Sequence, residues 1–205
     1  MAVLDIDHAA TEKAARTIAT NFLEKPKQIL VGTERALSFV RAPLSTIGIV
    51  SLDSLLSIPE WNAYERVFNL LMRLREQAEG TLYIQTRKPT ATVIADAAAG
   101  NLLAFYEREL RERKQFGYPP FTTLIRLDVA ATRERYEYFI TDAIERMAAY
   151  NPIRTPRVLG LSNGQFQASA LIRIPSTLWP NADLMTALRS LPPAIKIRID
   201  PDSVV

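Results

Sequence analysis

The spacing of apolar and polar residues predicts a different order of strands and helices in each half of the chain. In the first half, short β-branched runs alternate with helical patterns. Strands separated by helices of this length usually lie parallel, so we expect one small sheet of about four strands covered by helices. The predicted strands are 3–6, 28–31, 46–52 and 81–85.

Two helices are predicted between these strands, and a third is predicted after the last strand. Asp7 can cap a helix over 8–24, and Ser57-Ile58-Pro59-Glu60 has the form of a capping box that opens the next helix. A third helix is predicted from about Thr92 to Arg113, with Gly100 as the position where it could break.

The second half has the order strand, helix, two strands, helix, strand. This βαββαβ order predicts an α+β split-βαβ fold with both helices on one face of the sheet. A turn at Asn163-Gly164 joins the two middle strands into a hairpin, and Asn181 caps the second helix. The predicted strands are 122–130, 157–161, 166–174 and 195–200, and the long amphipathic helix covers 133–149.

The junction between the halves is the most informative stretch of the chain. A charged helix reaches Gly117 and is followed by Tyr118-Pro119-Pro120-Phe121. Gly117 is suited to a helix C-cap, and two adjacent prolines stop both a helix and a central strand. We therefore predict two folded domains, 1–115 and 116–205.

Composition excludes several kinds of site. The 205 residues contain no cysteine and one histidine, so the chain cannot form a disulfide, a thiolate zinc site or a site with several histidines. It contains no apolar run near the ~20 residues that span a bilayer, and no signal-peptide pattern at residue 1. We expect a cytoplasmic protein that binds no metal, no cofactor and no membrane.

Charge is unevenly distributed although the net charge is only +3. Residues 151–199 contain six Lys or Arg and one acidic residue, Asp183. Such a bias indicates an anionic partner, and nucleic acid is the commonest one in the cytoplasm. A solvated basic surface without a partner explains the charge equally well.

Four basic residues on three predicted strands alternate with the apolar residues that would face the helices. If those apolar residues form the core, the basic side chains share the opposite face of the sheet and could bind phosphates. Tyr118, Phe121 or Phe166 could then stack on unpaired bases. The alternative is a solvated face, or one covered by the first domain. The four residues are Arg126, Arg173, Lys196 and Arg198.

A second basic patch lies on the junction helix. Glu107, Glu109 and Glu112 interleave with its basic residues, which favours ion pairs within the helix over a binding role. The patch consists of Arg108, Arg111, Arg113 and Lys114.

Six blocks along the chain carry a family resemblance. They are Leu4–His8, Ile29–Thr33, Pro59–Phe68, Gly80–Thr86, Tyr118–Phe121 and Ile199–Ser203. In this order they resemble the primosomal replication-restart helicase family, the PriA family, and look like the middle of its second motor lobe followed by its C-terminal domain. The resemblance implies a partial RecA-like lobe, then an S10-like α+β domain that contacts branched DNA and single-strand-binding protein.

The departures from the family pattern bear on activity. Gly32-Thr33 opens motif V, but the lysine and second glycine of that motif are missing. Gln77 and Gly80 occupy the motif VI positions where the family has arginine fingers, which contribute ~10³–10⁵ to the rate of related NTPases. No G-x-x-x-x-G-K-[ST] phosphate loop occurs in the 205 residues. The family's basic hairpin triplet is replaced by Gln165-Phe166-Gln167.

These observations predict a non-catalytic relative of the restart helicase, which binds single-stranded or forked DNA, or a replication protein such as single-strand-binding protein. One alternative is a subunit or fragment that completes an ATP-dependent 3'-5' helicase with a separate first lobe. Another is a structural protein-interaction module that does not bind DNA.

Overall fold

The computed structural model describes residues 2–156, 159–161 and 164–203. Two compact units can be distinguished. The first comprises Met1–Leu55 and Arg66–Gly100, and the second comprises Leu56–Glu65 and Asn101–Val205. The division into folding domains 1–115 and 116–205 stays a prediction.

The first half of the chain contains small parallel sheets, as predicted, but not one sheet of four strands. β1 (Ala2–Asp5) pairs with β2 (Gln28–Val31), and β3 (Leu44–Ile49) pairs with β4 (Ala78–Ile84), both in parallel. Within the described residues no strand joins the two pairs. The alternation of strands and helices predicts strand direction, but it does not determine which strands become neighbours. The helices are α1 (Glu12–Glu24), α2 (Leu52–Leu56), α3 (Ala63–Gln77) and α4 (Thr92–Ala99).

Two predicted helix starts are wrong. Helix α1 begins at Glu12, because the Thr11 hydroxyl accepts a hydrogen bond from the Ala14 amide, while Asp7 accepts from Thr33 instead. The capping box over 57–60 opens no helix, since α3 begins only at Ala63. Asp7 and Glu60, which local spacing had assigned to helix caps, are thus bonded to residues far away in sequence.

The predicted breaks at glycine are confirmed. Gly100, with φ +68°, ends α4, and Gly117, with φ +62°, ends α5 (Leu102–Phe116). Both adopt the left-handed conformation, which glycine tolerates best. No described helix is long and apolar enough to cross a bilayer.

From β5 onward the second unit has the order βαβββαβ, which is the predicted βαββαβ order with one additional short strand, β6. The sheet order is β6-β8-β5-β9, entirely antiparallel, and β7 also pairs with β8. The strands are β5 (Thr122–Ala131), β6 (Ile153–Arg154), β7 (Leu159–Gly160), β8 (Phe166–Pro175) and β9 (Ile195–Ile199). The helices are α6 (Arg133–Arg146) and α7 (Ala182–Arg189). The predicted turn residue Asn163, with Arg157 and Val158 of the predicted strand 157–161, lies outside the described residues.

One core joins both helices to one face of this sheet. It combines Ile140 of α6, Met147 at the C-cap of α6, and Leu184 and Leu188 of α7 with alternate residues of β5, β8 and β9. The Asn181 side chain caps α7 by accepting from the Leu184 amide, as predicted. The strand residues in this core are Ile125, Leu127, Val129, Ala168, Ala170, Ile172, Ile174 and Ile195.

Leu127→Ala should lower the free energy of unfolding by about 2–5 kcal/mol, because it leaves a cavity at the centre of this core. Leu103→Ala is the matched control, since Leu103 is 77% exposed on α5 and its loss should change stability by no more than ~0.5 kcal/mol. Denaturant unfolding of both variants measures the difference. Equal effects would contradict the placement of this core.

Candidate nucleic-acid interface

The sheet register places the four predicted basic residues on one face. Residues directly opposite each other in antiparallel strands point to the same side. The pairs that define this face are Leu124 with Arg173, Arg126 with Arg198, and Asp128 with Lys196. This basic face lies opposite the core formed with α6 and α7, as strand parity predicts.

Arg126 is buried, although an open sheet face would leave it exposed. It is only 6% exposed, and its Nε donates to Asp128 Oδ1 at 2.9 Å. Its Nη1 donates to the Ser203 carbonyl oxygen at 2.7 Å, and Ser169 Oγ donates to the same Asp128 oxygen at 2.6 Å. Strand parity assigned the correct face but could not show that Arg126 is covered there.

The cover comes from residues 200–203, here called the C-terminal clasp. Asp200 fixes its start, because the Asp200 carboxylate accepts from the Leu124 amide at 2.7 Å. Trp61 Nε1 donates to the Pro201 carbonyl at 2.8 Å, and Asn62 Nδ2 donates to Asp202 at 3.1 Å. The block Ile199–Ser203, found through the resemblance, therefore has a structural role that the sequence did not reveal.

Arg173, Lys196 and Arg198 remain exposed on the basic face. Arg198 also forms an ion pair with Asp128, because its Nε lies 3.1 Å from Asp128 Oδ2. Arg173 Nη1 donates to the carbonyls of Phe116 and Gly117, each at 3.1 Å. These carbonyls lie at the C-terminal end of α5, where the helix dipole attracts a cation.

An aromatic ladder joins the junction to this face. Tyr118 stacks on Trp61 with ring centroids 6.3 Å apart and an interplanar angle of 22°. The Arg173 guanidinium lies 5.2 Å from the Tyr118 ring, and that of Arg113 lies 4.7 Å from the Trp61 ring. A nucleic-acid base would have to compete with these contacts for the Tyr118 ring.

The other two predicted stacking residues also have partners. Phe166 stacks on Tyr136 at 5.7 Å and has the Arg133 guanidinium 5.8 Å from its ring. Phe121 lies on the surface, with Lys114 Nζ 6.0 Å from its ring. The base-stacking role of all three rings stays a prediction.

The second basic patch divides into buried and exposed members. Arg113 is buried and pairs with Glu109 at 2.9 Å and Glu65 at 2.7 Å, so pairing within the helix is confirmed at this position. Burial raises the pKa of Glu109, although the bond from Arg113 opposes the shift. The remaining members are the half-buried Arg108 and the exposed Arg111 and Lys114.

The two altered motif VI positions hold structural contacts. Gln77 Nε2 donates to the carbonyls of Val40 at 2.7 Å and Ala42 at 3.1 Å. A side chain at Gly80 would collide with the Ser45 carbonyl oxygen, so the close backbone approach at this position requires glycine. An arginine at Gly80 would therefore collide with the backbone of Ser45.

Gly32 and Thr33, which the resemblance places at motif V, also have contacts within the first unit. The Thr33 amide donates to Asp7 Oδ2 at 2.6 Å, and the Thr33 hydroxyl donates to Asp7 Oδ1 at 3.1 Å. Gly32 packs so closely on Ile6 that a Cβ would lie 2.5 Å from its Cγ2. Among the residues that the structure describes, no group of three or more acidic or histidine side chains could hold a metal ion.

Comparison with known proteins finds similar sequences in several bacteria. The chain is 28% identical over 98% of its length to replication restart protein PriA of Chlamydia trachomatis serovar D, and 26% identical over 97% to PriA of Synechocystis sp.. It is also 35% identical over 60% of its length to PriA of Chlamydia muridarum. By sequence, the chain is similar to PriA.

The match confirms the resemblance found in the sequence blocks. The chain spans only 29%, 25% and 17% of the length of these three PriA proteins, respectively. No family model matches the chain. What PriA does as a whole protein therefore enters here only as a proposal.

Asp128→Ala should lower the free energy of unfolding by about 3–5 kcal/mol, because it leaves the buried Arg126 without its counterion. Asp142→Ala breaks the surface pair with Arg146 and should cost no more than ~0.5 kcal/mol. Chemical denaturation of both variants tests the contrast. A small effect at Asp128 would show that water solvates Arg126 or that another acidic group neutralises it.

Proposed function

We propose that this PriA-related chain is a non-catalytic DNA-binding protein that contacts single-stranded or forked DNA through the basic face of its second unit. The observation that carries the proposal is the exposure of Arg173, Lys196 and Arg198 on one sheet face. A replication protein such as single-strand-binding protein is the proposed protein partner, and the cytoplasm is the proposed location.

The charge balance of the face supports phosphate binding. Asp128 is the carboxylate that pairs with Arg126 and Arg198 across β5 and β9, while Lys196 and Arg173 add two further positive charges. The face therefore keeps a net positive charge although its buried centre is neutralised. Arginine forks and a flexible lysine are suited to phosphate oxygens, which carry no sequence information.

The proposal that the chain does not turn over ATP rests on residue types and on their contacts. A phosphate loop is absent from the sequence, and the motif VI positions hold Gln77 and Gly80. Both serve packing within the first unit, which we interpret as a degenerate RecA-like lobe. The nearby arginines are also occupied: Arg73 pairs with Glu34 at 3.3 Å, and Arg75 packs against Gly100.

One observation favours the alternative of a subunit that completes a helicase with a separate first lobe. Val3, Ile29 and Val31 share one face of the β1–β2 sheet and are 64%, 40% and 48% exposed. Parallel sheets are usually covered on both faces, so this face is suited to burial against another polypeptide. The buried Arg126 and the occupied aromatic rings are compatible with the third reading, a protein-interaction module.

If Arg173, Lys196 and Arg198 each contact one phosphate, single-stranded DNA should bind weakly. The slope of log K against log salt should then be about −2. The double variant Lys196→Gln, Arg198→Gln should flatten that slope by roughly 1.4 and weaken binding to all sequences alike. Fluorescence anisotropy of a labelled oligonucleotide across a salt series measures both quantities.

A matched control removes the same charge elsewhere in the second unit. Arg146 and Arg154 are paired with Asp142 and Glu137, so the double variant Arg146→Gln, Arg154→Gln should leave the slope nearly unchanged. Equal losses of DNA affinity in both double variants would show that binding depends on net charge alone. Unchanged binding in the sheet-face variant would favour the protein-interaction module.

The purified chain should show no DNA-stimulated ATP hydrolysis and no tight ATP binding. Phosphate release and calorimetry with Mg-ATP, with and without forked DNA, are the measurements. Adding a separately produced ATP-binding lobe of a PriA relative distinguishes the alternatives, because restored turnover would support the helicase-subunit reading. Steady turnover by the chain alone after rigorous purification would contradict both.

A further inference from the structure

β9 forms an edge of the second unit's sheet, because the only described strand that it pairs with is β5. The Asp200 amide donates to the Leu124 carbonyl at 2.7 Å, which identifies residues 124 and 200 as a hydrogen-bonded pair. Such pairs alternate along antiparallel strands. The peptide groups of Lys196 and Arg198 therefore face β5, and those of Ile197 and Ile199 face the free edge.

The side chains along this edge have two characters. Ile197 and Ile199, which are 37% and 43% exposed, lie on the side of the sheet that carries α6 and α7. Lys196 and Arg198 lie on the basic face and are exposed too. A strand added here would thus meet apolar groups on one side and positive charges on the other.

We propose that the free edge of β9 binds an extended acidic peptide of a partner protein as an additional strand. The peptide would alternate apolar residues, which cover Ile197 and Ile199, with Asp or Glu, which face Lys196 and Arg198. Main-chain hydrogen bonds supply affinity in this mode, and alternate side chains supply specificity.

Charge complementarity selects this occupant over a second copy of the chain. Two β9 edges paired with each other would bring Lys196 and Arg198 of one copy close to those of the other, and like charges across strands are destabilising. Basic residues on an edge strand also discourage pairing with unrelated neutral strands. The same residues that block these contacts attract a carboxylate-bearing strand.

The proposal can fail or succeed independently of DNA binding. Lys196 and Arg198 are shared by both interactions, but the outward peptide groups of Ile197 and Ile199 serve only strand addition. A change at the edge backbone should therefore affect peptide binding and leave DNA binding intact.

The experiment uses the full chain and a fluorescein-labelled eight-residue peptide that alternates valine and aspartate. Anisotropy should show saturable binding that weakens with salt, and a valine–lysine peptide of equal length should bind at least about tenfold more weakly. A copy of the acidic peptide with N-methyl groups on alternate amides keeps the charges but loses the strand hydrogen bonds. It should also lose about tenfold or more in affinity.

Ile197→Pro provides the matching change in the protein. Proline is tolerated on an edge strand where the N–H faces solvent, so the sheet should persist while the outward donor is lost. We expect at least about fivefold weaker binding of the acidic peptide and unchanged affinity for single-stranded DNA. Circular dichroism and the unfolding midpoint verify that the variant is folded.

Three results would overturn the proposal. The first is the absence of acidic peptide binding at millimolar concentration, and the second is equal binding of the N-methylated peptide. The third is a concentration-dependent dimer of the unliganded chain that Ile197→Pro abolishes, because the edge would then serve a second copy. The N-methylated peptide keeps the test decisive even if the proline variant does not fold.

Discussion

The buried ion pair between Arg126 and Asp128 organises the basic face of the second unit. Two charged groups inside a protein are tolerated when each has a counterion and hydrogen-bond partners. Here Asp128 receives bonds from Arg126 and from Ser169, while Arg126 also donates to the carbonyl of Ser203. The pair therefore links β5, β8 and the C-terminal clasp.

The C-terminal clasp also connects the Arg126–Asp128 pair to residues that are far away in sequence. Trp61 bonds to the Pro201 carbonyl across 140 positions of sequence and stacks on Tyr118 at the junction. Arg113 lies over the Trp61 ring and pairs with Glu65 and Glu109. The junction is consequently a packed element of the second unit, in which Gly117 ends the helix and the two prolines follow it.

Gln77 and Gly80, which the resemblance places at motif VI, take part in structural contacts within the first unit. Gln77 ties α3 to the carbonyls of Val40 and Ala42, and Gly80 allows a strand to approach Ser45. Once a backbone carbonyl occupies the space of a side chain, an arginine cannot return without a rearrangement. This physical obstacle, beside the missing phosphate loop, is why we propose binding in place of ATP turnover.

Local sequence signals predicted much of the second unit and less of the first. The alternation in β5, β8 and β9 predicted which side chains share a face, because successive residues of a strand point to opposite sides. The helical period predicted α6, and Asn181, Gly100 and Gly117 marked a cap and two helix ends through their own conformational preferences. The strand segments of the first half were also identified, but not their division into two sheets.

Only the tertiary structure decided which groups lie buried. Arg126 and Arg198 face each other across paired strands, yet one is covered by the clasp and the other remains exposed. Asp7 and the segment 57–60 looked like helix caps, but Asp7 bonds to Thr33, and Glu60 forms a bridge to Ser203. Caps and periodicity depend on neighbours a few residues away. Burial, ring partners and strand neighbours depend on contacts between distant segments, which no local pattern records.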